Sequence, residues 1–129
     1  MTVVLDSWAI LEYLEDREPA ASAVAGMLGT QRPIISWINL GEVFYVIRRR
    51  HADAAAHATV RDLRDVATAE LPNARRVLEA ARIKSDYTMA YADAFAAATA
   101  AAHGATLWTG DPELLIDSAP WTCRDLRQL

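Results

Sequence analysis

Very little of this 129-residue chain is suited to cross-linking or to spanning a bilayer. A lone cysteine, Cys123, excludes an internal disulfide, reads as a small apolar filler and makes a reducing cytoplasm the expected compartment. The longest uncharged alanine run, 94–102, is too short to cross a membrane. Only four residues separate Met1 from Asp6, leaving no room for the apolar core of a signal peptide. Lys84 is the sole lysine, and the formal net charge is −4, which argues against broad attraction to nucleic acid or an anionic surface. Neither GxGxxG nor GxxxxGK occurs, so no glycine-rich loop cradles a phosphate. A GxSxG nucleophile elbow is missing as well.

What the chain does hold is alanine, at 26 positions, together with short apolar runs. Alanine favours helix and close packing while contributing little buried area. TVVL (2–5), PIISW (33–37), TAEL (68–71), ATLWT (105–109) and WTCRDL (121–126) read as strands, the third and last weakly. Between them, helical spacing follows Asp6–Ser7 and runs from Pro19 towards Gly29. A helix opens at Asn39 in NLGEVFYVIRRR and continues through ADAAAHATVRDLRDV. Two more follow, one after Pro72–Asn73 and one over YADAFAAATAAAH up to Gly104. Gly110–Asp111–Pro112 reads as a turn into a further short helix. Strands separated by helices imply one α/β domain over residues 1–129, with a mostly parallel sheet of four to five strands between helical layers. Ligands in such folds bind beyond the carboxyl ends of the strands.

Four acids fall at that edge: Asp6 after the first strand, Glu42 one turn into the helix after the second, Asp93 in the first turns of the alanine-rich helix and Asp111 after LWT. Each has an ordinary local explanation. Asp6 or Ser7 can cap a helix, Asn39-x-x-Glu42 resembles a capping box, Asp93 suits the positive end of a helix dipole, and Asp111 is a common turn residue. Together they cannot all be innocent. Two carboxylates about 4 Å apart repel by roughly 4 kcal/mol at an effective dielectric of 20. A cluster is therefore tolerable only if some members are protonated or a cation is bound, and an oxygen-only donor set suits Mg²⁺ or Mn²⁺. His51, His57 and His103 show no zinc-ligand spacing. A phosphoacceptor receiver would need paired acids after the first strand, and a DxD phosphatase an acid where Trp8 stands.

VLDSWAILEYL, ISWINLGEVFYVIRRR and YADAFAAATAAAHGATLWTGDPEL, in this order, resemble the PIN-domain ribonucleases, specifically the VapC-type toxins of bacterial toxin–antitoxin pairs. The likeness runs from Val3 to Leu115, with acid spacings of 36 (6 to 42), 51 (42 to 93) and 18 (93 to 111). It implies a three-layer α/β/α PIN-like fold and Mg²⁺- or Mn²⁺-dependent endonucleolytic cleavage of RNA. Asp6, Glu42, Asp93 and Asp111 carry over as the catalytic and metal-binding quartet, with Thr109, Ser7 and Asn39 in support. Asp6 and Asp93 would hold the ion, while Glu42 and Asp111 complete its shell, position water or hold a second ion. The family commonly has a helix-capping serine where this chain has Ala90, a role open here to Thr88, and a frequent aromatic near Leu114.

The resemblance further implies a homodimer and a small antitoxin that covers the site, through a groove near Trp8, Leu11 and Tyr45. Arg48, Arg49, Arg50 and Lys84, with Arg17, Arg75 and Arg76, are candidate RNA-backbone contacts, or simply solvated charges. Trp8 and Trp37 could stack a base, or serve the core or a partner protein. A catalytically silent PIN adaptor and a metal-dependent DNA nuclease or phosphatase stand as the alternatives.

Overall fold

A computed structural model describes residues 1–128. Five strands, β1 (Val3–Leu5), β2 (Ile34–Ser36), β3 (Thr68–Glu70), β4 (Thr106–Thr109) and β5 (Thr122–Asp125), alternate with six helices. These are α1 (Ser7–Leu14), α2 (Ala20–Thr30), α3 (Trp37–Arg50), α4 (Asp53–Val66), α5 (Ala74–Asp86) and α6 (Tyr91–His103). Every strand pair is parallel, and the order across the sheet is β3-β2-β1-β4-β5. The chain thus builds outward from β1 in one direction, then returns to build outward in the other. That reversal leaves a crevice beyond the carboxyl end of β1.

Alternation along the strands divides the apolar residues between two helical layers, because successive side chains point to opposite faces. Val3, Leu5, Ile35 and Trp108 pack with α1 to α4. Val4, Ile34 and Leu107 face α5 and α6. Five of the thirteen residues of α6 are buried alanines, which let it lie close to the sheet. Gly104 ends it in the left-handed region, at φ +59°, where a side chain would be strained. Among the described residues no helix is long and apolar enough to cross a membrane.

Several local readings need correction. The chain turns from β2 into α3 at Ser36, whose hydroxyl accepts the Ile38 N–H at 3.2 Å, so Trp37 is helical and Asn39 lies inside the first turn. An asparagine already inside a helix cannot be its cap, and the box with Glu42 does not form. Gly29 lies within α2, which ends at Thr30, and α4 is a helix separate from α3. Among the described residues no helix follows Asp111: residues 112–114 make an isolated turn, closed by Leu114 N–H on Asp111 O at 3.0 Å. Ala90 stands at the cap position of α6 and no side chain caps the helix, so Thr88 does not supply the missing serine.

Candidate active site

The four acids come from four different parts of the chain and converge at the crevice. Asp6 follows β1 directly and caps α1, its Oδ1 accepting the Ala9 N–H at 2.8 Å. Its Oδ2 accepts the hydroxyl of Thr109, the last residue of β4, while Thr109 Oγ1 accepts the Asp111 N–H at 3.0 Å. One hydroxyl therefore joins the acid after β1 to the acid after β4, and the register Leu5 opposite Trp108 makes that contact available.

Glu42 is held from the other side. Ser7 donates its hydroxyl to Glu42 Oε1 and accepts the Asn39 amide at 3.1 Å. The same Nδ2 reaches Ala92 O at 3.1 Å, next to Asp93. A carbonyl can only accept, which fixes the orientation of the Asn39 amide. Asn39 is fully buried, and its Oδ1 has no partner. A side chain read as a helix cap thus fastens α3 to the starts of both α1 and α6, and so Glu42 beside Asp93.

Electrostatics record the crowding. Asp6 is pushed up to about 7, first by burial, against the lowering effect of its two hydrogen bonds, with the charges of Asp111 and Glu42 adding to the rise. Asp93 is pushed up to about 8, again first by burial, then by the charge of Asp111 and hydrogen bonding with it, then by Asp6 and Glu42. Among the described residues no basic side chain forms an ion pair with any of the four.

A fifth carboxylate belongs to the same place. Asp93, Asp111 and Glu113 each offer an oxygen within 4.8 Å of the others, and the Glu113 N–H donates to Asp111 Oδ1 at 3.0 Å. Glu113 escaped the sequence reading because an acid two residues after Asp111 looks like one more turn residue. Its signal was present in the D-x-E spacing, which returns the second carboxylate to the first through a tight turn. A donor set made only of carboxylate oxygens, with Asp6 and Asp93 pushed up first by burial and then by the neighbouring acids, fits a hard divalent cation.

Gly110 explains Trp8. A Cβ on Gly110 would come within 2.3 Å of the far edge of the Trp8 ring, so only glycine lets the indole cover the loop that carries Asp111. Trp8 packs with the core at its other edge. Trp37 lies under Arg64, 5.1 Å from guanidinium to ring centroid.

The basic candidates divide sharply. Arg48 is paired with Asp53 at 2.9 Å and Arg50 with Glu15. Arg17 is paired with Glu12 and Glu15, Arg75 with Glu79, and Arg76 with Glu70 and Glu79. Lys84 donates to Met89 O at 2.8 Å, which ties α5 to the segment entering α6. Arg49 instead lies over the ring of Tyr45, at 5.1 Å. His57 packs on Phe44 and lies beside Asp53, and His103 lies beside Glu70. Burial pushes the Cys123 thiol up to about 11, and its Sγ donates to Leu114 O. That suits filler rather than nucleophile.

Comparison with known proteins adds the following. A family model described as PIN domain matches residues 3–117. No curated protein matches. Solved structures with the same fold include VapBC2 from Rickettsia felis bound to a DNA fragment from its promoter, at 13% identity, covering 97% of this chain and 98% of that one, with a TM-score of 0.76. Mycobacterium tuberculosis VapC20, a sarcin–ricin loop cleaving toxin, matches at 16% identity over 88% and 92%, with a TM-score of 0.72. VapBC-1 from nontypeable Haemophilus influenzae matches at 19% identity over 99% and 100%, with a TM-score of 0.75.

Proposed function

The chain belongs to the PIN-domain family, and we propose that it is a VapC-type toxin: an endoribonuclease that hydrolyses RNA phosphodiesters with Mg²⁺ or Mn²⁺ and inhibits translation or growth when free of an antitoxin. The observation that carries this reading is the convergence of Asp6, Glu42, Asp93 and Asp111 at the reversal point of the sheet, with burial and mutual repulsion pushing two of them up to about 7 and about 8.

Asp6 and Asp93 would hold the ion, with Asp111, Glu42 and Glu113 around them. When bound, the divalent cation lowers the pKa of water and neutralises charge on the phosphate. The protein's own part is positional. Thr109 fixes Asp6 and the Asp111 backbone together, and Ser7 turns Glu42 inward. Asn39 keeps Glu42 and Asp93 on neighbouring elements. Because the site is negative throughout, it repels a phosphodiester until its carboxylates are neutralised.

A homodimer and a small antitoxin covering the acids complete the proposal, and the VapBC complexes named above support the antitoxin. Incubation with structured RNA, including a sarcin–ricin-type loop, and Mg²⁺ or Mn²⁺ tests it. Cleavage should vanish with chelator and in Asp93→Asn. Cleavage that survives both overturns the metal-dependent reading of these acids, and none at all by a folded wild-type chain overturns the enzyme in favour of a silent adaptor. Equal cutting of a deoxy analogue would make the enzyme a general nuclease, since the 2′-hydroxyl is what separates the two substrates.

A further inference from the structure

One face of α3 leads straight out of the acid site. Ile38, Glu42, Tyr45 and Arg49 follow one another at steps of four, three and four, so they share that face. Arg49 stands seven positions after Glu42, roughly 10 Å along the axis. Tyr45 Oη lies 3.4 Å from Glu42 Oε2, and the residue is 45% exposed. Arg49 lies over that ring at 5.1 Å. Among the described residues Arg49 has no carboxylate partner, whereas its neighbours Arg48 and Arg50 are committed to Asp53 and Glu15. Of three consecutive arginines, the one left for an external anion is thus the one on the same face as a catalytic-site acid.

An exposed aromatic ring beside a cation, both next to a phosphodiester-cutting site, matches the chemistry of single-stranded nucleic acid. Bases stack on aromatic faces and on guanidinium planes, and a free guanidinium pairs with phosphate. A helix end bearing arginines for the dipole alone would not require the middle one to lie over a tyrosine that points at Glu42.

We infer that Tyr45 and Arg49 form a shelf for the RNA segment flanking the scissile phosphate, with a base stacking on Tyr45 and a neighbouring phosphate held by Arg49. This inference rests on the nuclease reading of the acid site. Tyr45 and Arg49 set substrate affinity and local conformation, and take no part in proton transfer.

The test measures KM and kcat for RNA cleavage. In parallel, Asp93→Asn serves as background for binding a labelled single-stranded oligoribonucleotide of mixed sequence. Tyr45→Ala should weaken binding and raise KM by about 5- to 100-fold, while Tyr45→Phe stays within about twofold, because the ring and not the hydroxyl carries the contact. Arg49→Gln should reduce the slope of log affinity against log salt by about 0.7, and Arg48→Gln should leave it unchanged. If the wild-type chain cleaves RNA but Tyr45→Ala and Arg49→Gln leave KM and binding unaltered, the shelf alone is refuted. A wild-type chain that neither cleaves nor binds RNA removes the nuclease reading and the shelf with it. Intact RNA binding combined with loss of a protein partner in Tyr45→Ala would assign the face to protein recognition and overturn the proposal.

Discussion

Replacing Asp6 by asparagine should stabilise the protein in the presence of a chelator while destroying its activity. Asp6 is 1% exposed and is pushed up from 3.8 to about 7. A carboxyl whose folded pKa is raised contributes its full stability at low pH and loses it as pH climbs from near 4 through 7. Roughly three units at about 1.36 kcal/mol each give a penalty of about 4 kcal/mol once the pH is well above 7. Asparagine carries no charge and keeps the oxygen that accepts the Ala9 N–H. It must rearrange the bond to Thr109, at about 1–2 kcal/mol. The expected net gain near pH 8.5 is about 2 kcal/mol, or about 6–10 °C in Tm for a chain of this length. Near pH 4 the gain should disappear or reverse. Thermal unfolding of both proteins in EDTA across that range is the assay. A difference in Tm that does not change with pH, or a variant less stable at pH 8.5, would refute the electrostatic account of this site.

Other consequences can be checked alongside. Protons and metal compete for Asp6 and Asp93, so the apparent Kd for Mn²⁺ by calorimetry should fall by about tenfold or more per unit between pH 6 and 7 and flatten above about 8; a pH-independent Kd would mean that the ion binds elsewhere. Asn39→Ala strips the donor from the Ala92 carbonyl and from Ser7, and should cost about 1–3 kcal/mol in urea unfolding, with a fall in kcat larger than any change in KM. Gly110→Ala forces the Trp8 ring aside, so tryptophan fluorescence should shift and stability drop by about 1–3 kcal/mol. Unchanged fluorescence and stability would show that the ring does not cover the loop.

The architecture was readable because the central strands are short apolar runs that end at polar residues with a visible function. TVVL stops at Asp6 and TLWT stops before Gly110–Asp111, so two of the acids announce the sheet edge themselves. Where helices begin was harder to see. Ser36 and Asn39 are both good caps by composition, and only the tight passage out of β2 decides for Ser36. What Asn39 does instead depends on Ala92, 53 positions away, and no local pattern contains that information. The same holds for the arginines. Three in a row look alike in sequence, and only the partners supplied by Glu15 and Asp53 leave the middle one uncommitted. A fifth acid was hidden by the opposite problem: the GDPEL turn offers so many local reasons for Glu113 that its D-x-E spacing, which points back to Asp111, did not stand out as an approach to Asp93.

The hydroxyl of Thr109 meets a carboxylate 103 positions earlier. Asp6 leaves the ribosome early and must wait for β4 to be made and to dock beside β1 before its second oxygen has a partner. Until then Asp93 and Asp111 have no acid from β1 to face. The acid cluster therefore assembles late in synthesis, as a property of the whole fold rather than of any segment. A partial chain carrying only the first two motifs therefore holds no such cluster, because Asp93, Asp111 and Thr109 all lie in the part still to be made.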